Sequence, residues 1–99
     1  MPILNVKVSV GKSEEMTAKI YELLSPLTQR ILGKNPALTA ITIDYLDPRD
    51  WIVGGKTLAQ QGKSSVYLDI KITDETNTKD EKAAYIAEVF KGFSALLGN

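Results

Sequence analysis

The 99-residue sequence predicts an α+β fold made of a duplicated β-α unit, in the order β-α-β-loop-β-α, with two helices on one face of a small sheet. Three observations carry this prediction. Apolar and polar residues alternate with period two around residues 4–10, 40–46 and 65–73, while two intervening segments place apolar residues three and four apart. The second helical segment repeats the cap spacing of the first. The length also suits one compact domain over residues 1–99, with no low-complexity stretch or linker to divide it.

Leu4, Val6, Val8 and Val10 alternate with Asn5, Lys7 and Ser9, as in a strand buried on one face. Ser13 then suits a helix N-cap, with Glu14 and Glu15 at the positive end of the helix dipole. Met16, Ile20, Leu23, Leu24, Leu27 and Ile31 form one apolar stripe, which Gly33 ends; Pro26 predicts a kink within it. In the second strand Ile41, Ile43 and Tyr45 lie opposite Thr42 and Asp44, and residues 47–63 read as punctuated loop. The third strand sets Val66, Leu68, Ile70 and Ile72 against Tyr67, Asp69 and Lys71. Thr78 and Glu81 form a capping box for a last helix carrying Tyr85, Ile86, Val89, Phe90, Phe93, Leu96 and Leu97.

An internal repeat runs through these elements. Asn5-Val6-Lys7-Val8 resembles Asp69-Ile70-Lys71-Ile72, and Ile31-Leu32-Gly33-Lys34 resembles Leu96-Leu97-Gly98-Asn99. Ser13 and Thr78 are 65 residues apart, as are Gly33 and Gly98, whereas the strands are offset by 64, so the second copy has one extra residue before its helix. Both copies turn polar side chains away from the helices: Asn5, Lys7 and Ser9 in one, Tyr67, Asp69 and Lys71 in the other. One layer of helices covers one sheet face, so the other meets water or a partner subunit. A domain this small gains from burying more surface in an oligomer.

Composition removes several classes of chemistry. Twelve basic and twelve acidic residues give a formal net charge of zero, which provides no field for a nucleic acid or an anionic membrane. Without cysteine or histidine there are no disulfides, thiolate nucleophiles, histidine triads or zinc sites of the usual ligands. No apolar run approaches the ~18 residues of a membrane span, and the N-terminus lacks the layout of a signal peptide, so a cytoplasmic protein is expected. What remains is Pro2. Removal of Met1, which a small second residue permits, would leave a secondary amine whose pKa starts near ~8 and falls toward neutrality on partial burial or beside cations, the range in which a general base works best.

The company Pro2 keeps has a family's order: Pro2-Ile3 opening a strand, Gly11-Lys12-Ser13 entering a helix, Leu38-Thr39, then Trp51-Ile52-Val53-Gly54-Gly55 with Leu58-Ala59. In this the sequence resembles the tautomerase superfamily. Its small members, such as 4-oxalocrotonate tautomerase, are single β-α-β units; those like 5-carboxymethyl-2-hydroxymuconate isomerase and macrophage migration inhibitory factor contain two fused units and form trimers. The repeat is closer to the second group, which implies a tautomerase-like sheet and a homotrimer.

The resemblance implies that Pro2 is the catalytic proline that moves a proton between carbon and oxygen of an enol, with no cofactor and no metal. Lys12 falls where 4-oxalocrotonate tautomerase has a substrate-binding arginine, although lysine lacks the planar fork; it reads either as a carboxylate anchor or as an exposed lysine near a helix start. Lys34, in Gly33-Lys34-Asn35-Pro36, matches the active-site lysine of macrophage migration inhibitory factor, or serves the helix end. Trp51 matches the aromatic residue before Gly-Gly that walls the proline pocket, or is buried between subunits. Arg49 is either a carboxylate ligand or a turn residue paired with Asp47 or Asp50.

Two departures qualify the implied substrate. Thr42 stands where 4-oxalocrotonate tautomerase has its other active-site arginine, which argues against a dicarboxylate. The sequence also ends just after the second helix, where larger members continue with a strand and tail that complete a neighbour's pocket. The expected function is therefore a tautomerase or isomerase of small α-keto or enol carboxylates. Two alternatives stay open: a hydratase or dehalogenase of unsaturated acids, with Asp44 or Asp47 activating water, and a non-enzymatic ferredoxin-like module that binds a ligand or partner.

Overall fold

The computed structural model describes residues 2–71 and 77–98. Its elements are β1 (Ile3–Val8), α1 (Glu14–Leu32), β2 (Ala40–Tyr45), the hairpin strands β3 (Ile52–Val53) and β4 (Lys56–Thr57), the short α2 (Leu58–Gln61), β5 (Val66–Lys71) and α3 (Lys79–Leu97). In the main sheet β1 is central, parallel to β2 on one side and antiparallel to β5 on the other. The α+β class and the order read from the sequence both hold.

The two long helices are near copies at their ends. Ser13 Oγ accepts from the Met16 N–H at 3.0 Å, and Thr78 Oγ1 accepts from the Glu81 N–H at 3.1 Å while Glu81 Oε1 accepts from the Thr78 N–H at 2.8 Å. Each helix has 19 residues and ends at a glycine in the left-handed region, Gly33 at φ 67° and Gly98 at φ 77°. The apolar stripe of α1 continues through Pro26 without a break in the helix.

The period-two pattern of β1 decides which face is covered. Leu4, Val6 and Val8 are buried under Ile20, Leu24 and Leu32 of α1 and Tyr85, Val89 and Phe93 of α3. Their alternates Asn5 and Lys7 lie on the opposite face. Where α1 passes α3, the hydrogen of Gly92 faces the Leu23 side chain, and a Cβ there would collide with Leu23 Cδ1. Between the helices, the buried Thr28 hydroxyl donates to Leu24 O at 2.7 Å and lies 2.9 Å from the Tyr85 hydroxyl. With its proton committed to Leu24, Thr28 accepts from Tyr85. Burial pushes the Tyr85 phenol up, so it remains a donor.

The sequence expectations need correction at two places. The first strand stops at Val8, and Ser9 is buried rather than wet, because its hydroxyl accepts from the Ser65 N–H at 2.8 Å and ties the end of β1 to the start of β5. Residues 47–63 are structured: Gly54 and Gly55, both at positive φ, turn β3 into β4, and Gln61 Nε2 clamps that turn by donating to Val53 O and Lys56 O. The third strand is described to Lys71; Ile72 and Thr73 lie outside the described residues, as does Asn99 of the repeat.

The register has a consequence for symmetry. Asn5 pairs with Asp69, and the internal repeat makes these same two residues equivalent, so the pseudo-two-fold axis of the duplicated unit passes between them. If the Tyr85–Thr28 bond fixes the approach of the helices, Tyr85→Phe should lower unfolding free energy by about 0.5–1.5 kcal/mol, measured by urea denaturation, with an unchanged m value.

Candidate active site

The strand registers divide the candidate residues between two ends of the sheet. Pro2 directly precedes β1, and its carbonyl accepts from the Ala40 N–H at 3.0 Å. The next pairs are Ile3 with Ala40 and with Lys71, so this end gathers the start of β1, the start of β2 and the finish of β5. It also receives the turn after α1. Lys34 is the first residue beyond the Gly33 cap, half-buried, with its N–H donated to Thr28 O at 3.3 Å. Asn35 then caps a 3-10 turn, Pro36–Leu38, that leads straight into β2. Pro2 and Lys34 are therefore delivered to the same end. The Glu81 carboxyl is held below its ordinary pKa, first by the Thr78 N–H, with smaller contributions from Asn77 and the Lys34 ammonium.

Lys12, Arg49 and Trp51 follow the other ends of β1 and β2, beyond the Val8–Tyr45 pair. Six residues of β1 separate them from Pro2, about 20 Å at ~3.3 Å per residue. No single copy of the chain can bring all five candidates around one small molecule. Lys12 is exposed and opens on a groove of about 710 Å³ between α1 and the helix side of β2, lined also by Thr17, Tyr21, Ile41 and Ile43.

Arg49 is engaged locally. Its Nε lies 3.0 and 3.1 Å from the two Asp47 oxygens, and its Nη2 lies 2.6 Å from Oδ2. This is the turn pairing foreseen from the sequence as one of two options. The Arg49 side-chain bond, followed by its backbone N–H, lowers Asp47 to about 2. A carboxylate held so firmly ionised and so fully occupied is a poor base for activating water. Asp44 is exposed on the helix-free face, where it pairs in register with Lys7.

Trp51 is held by its surroundings. It follows the 3-10 turn Pro48–Asp50, and its carbonyl accepts from the Leu58 N–H at 2.8 Å, which joins it to the start of α2. Trp51 borders an open-sided cavity of about 350 Å³ together with Lys7, Leu46, Asp50, Ile52 and Tyr67. Lys7 and Tyr67 are register partners across β1 and β5, and the Lys7 Nζ lies 6.0 Å from the Tyr67 ring centroid. Sequence reasoning placed both on the wet face without joining them to Trp51. The signal was the aromatic Tyr67 among polar alternates, but its meaning depends on a cross-strand register. On the same face the Thr42 hydroxyl donates to Asn5 Oδ1 at 2.6 Å, so the residue standing in place of an arginine is bound within the sheet.

Among the described residues no group of three or more acidic side chains is placed to hold a metal ion, and no helix is long and apolar enough to cross a membrane.

Comparison with known proteins agrees with this architecture. No family model matches the chain. A probable tautomerase of Helicobacter pylori (strain J99) is 30% identical over 61 residues, which cover 59% of this chain and 90% of that protein. The probable tautomerase K2 of Dickeya dadantii (strain 3937) is 29% identical over 62 residues, 62% of this chain and 92% of the relative. Each alignment is thus about the length of one 65-residue repeat. Among solved structures, a fused 4-OT determined as a symmetric trimer superposes with a TM-score of 0.77 at 22% identity, covering 98% of this chain and 75% of that one. That likeness shows the fold.

Proposed function

The chain belongs to the tautomerase superfamily, and on that premise we propose that it is a cofactor-independent tautomerase of small α-keto or enol carboxylates, with the amine of a processed Pro2 as its base. The observation that supports this most is the placement of Pro2. It is second in the sequence, its carbonyl is anchored by Ala40, and its nitrogen lies at the sheet end to which α1 delivers Lys34. With Met1 removed, that nitrogen is a secondary amine on a fixed strand end.

Ketonisation then needs two proton movements. The Pro2 nitrogen takes the enol O–H proton and leaves the O–H electron pair on oxygen, as an enolate whose oxygen then forms the carbonyl π bond. The former C=C pair takes a proton back from the pyrrolidinium at carbon, which regenerates the amine. Lys34 stabilises the negative charge that develops on oxygen between these steps. Trp51 reaches this centre from a neighbouring copy, since its own Pro2 is about 20 Å away by the length of β1. Lys12 opens on a different groove and Arg49 is held by Asp47, so neither is given a role.

A site divided between copies requires an oligomer. The reading is a cyclic homotrimer whose helix-free faces, with Asn5, Lys7, Tyr67 and Asp69, surround a central channel. The symmetric trimer of fused 4-OT supports it. Light scattering coupled to size exclusion should give the mass of three chains at micromolar concentration; a monomer of full activity would contradict the shared site.

The chemical test is the ketonisation of phenylenolpyruvate by protein whose mass places Pro2 at the N-terminus. Pro2→Ala keeps a primary amine in roughly the same place and should lose tenfold or more in kcat/KM while keeping the fold. Protein retaining Met1 should be inactive, because the nitrogen is then an amide. Equal activity of the Met1-bearing form would overturn the mechanism.

A further inference from the structure

We propose that Lys7, which the family resemblance does not single out, is the carboxylate-binding residue of the Trp51 cavity, and that this cavity selects a planar unsaturated monocarboxylate. Its catalytic meaning rests on the tautomerase reading above; its binding test does not.

The cavity has the make-up of a site for a small planar acid. Its volume of about 350 Å³ is at the small end of ligand pockets. Four of its six lining residues are aromatic or aliphatic, Trp51, Tyr67, Leu46 and Ile52, which suits a flat, conjugated carbon chain. Lys7 is its one cation.

The state of that cation is the second part of the argument. Lys7 stands between Asp44 on β2 and Tyr67 on β5 in the sheet registers. Lys7 joins neither the Lys19–Glu15 nor the Arg49–Asp47 ion pair. Its ammonium instead lies 6.0 Å from the Tyr67 ring centroid, a weak cation–π contact that occupies none of its hydrogen-bond donors.

Asp50 on the cavity lining sets the charge of the ligand. One carboxylate can sit on Lys7, but a second would approach Asp50 with the same sign, and the Arg49 guanidinium near Asp50 is already bound by Asp47. The Thr42 hydroxyl, bound to Asn5, offers no replacement. The cavity therefore favours a monoacid over the corresponding diacid.

Trp51 is the only tryptophan in the chain, so its fluorescence reports occupancy independently of catalysis. The probes are sorbate, a flat dienoic monoacid that Pro2 chemistry leaves unchanged, its neutral amide sorbamide, and trans,trans-muconate, which carries the same diene and a second carboxylate. Sorbate should quench Trp51 saturably. Lys7→Ala should weaken sorbate about tenfold or more and leave sorbamide unchanged, Lys7→Arg should restore most of the loss, and muconate should bind at least fivefold more weakly than sorbate. Lys12→Ala should bind sorbate as the parent does. In kinetics with phenylenolpyruvate, Lys7→Ala should raise KM more than it lowers kcat.

The inference is overturned if sorbate fails to quench the parent protein, if Lys7→Ala binds it with parental affinity, if sorbamide suffers equally, or if muconate binds as tightly as sorbate. Pro2→Ala separates the two claims. If it stays fully active while Lys7→Ala loses sorbate, the binding site stands and the tautomerase mechanism fails; if it is inactive while Lys7→Ala binds normally, the reverse holds.

Discussion

The antiparallel pairing of β1 with β5, centred on Asn5 and Asp69, is the constraint on which the rest of the molecule depends. It joins two β-α units that are each too small to hide their own apolar stripe. Pairing the strands brings α1 and α3 side by side over Leu4, Val6 and Val8, so one core serves both halves. The close passage at Gly92 and Leu23 and the buried Tyr85–Thr28 bond then fix how the helices meet. A one-residue slip of this register would turn Asn5 and Lys7 into the core and is excluded by their polarity.

The same pairing explains why the chemistry is divided. Antiparallel strands place the start of one unit beside the finish of the other, while the parallel β2 carries the Trp51 loop to the end opposite Pro2. What gathers at the Pro2 end within one chain is Lys34 and the junction of α1 with α3, including Asn77, whose Nδ2 donates to Leu32 O at 2.8 Å. What gathers at the far end is an open-sided cavity lined by Trp51, Tyr67 and one cation, Lys7. On the proposed reading, the residues missing from each end come from neighbours, and the uncovered polar face between the two ends is the surface available for them.

Much of the fold was legible because it depends on short-range patterns. Period-two alternation located three strands, and the Ser13–Gly33 and Thr78–Gly98 caps delimited both helices to the residue. The errors came where distant residues decide the outcome. Ser9 looks like another polar alternate until Ser65 is known to lie against it, and residues 47–63 look like loop until Gln61 is seen to clamp the Gly54-Gly55 turn from eight and five residues away. Residue type alone names the candidates Pro2, Lys12, Lys34, Arg49 and Trp51, but only the registers separate them into two ends. The significance of Lys7 comes from Tyr67 across the strand and from Trp51 across a loop, neither adjacent in sequence.

The central claim is that the nitrogen of Pro2 is a free amine that carries the proton. A direct measurement is the titration of that nitrogen by NMR in protein labelled with 15N-proline, set beside the pH dependence of kcat/KM for enol ketonisation. In a chain without histidine or cysteine, few other groups change charge near neutrality. The account predicts that the Pro2 signal titrates as a secondary amine and that its midpoint coincides with the ascending limb of kcat/KM. A Pro2 nitrogen that does not titrate in protein that is nonetheless active, or an activity whose pH profile is unrelated to that midpoint, would contradict it.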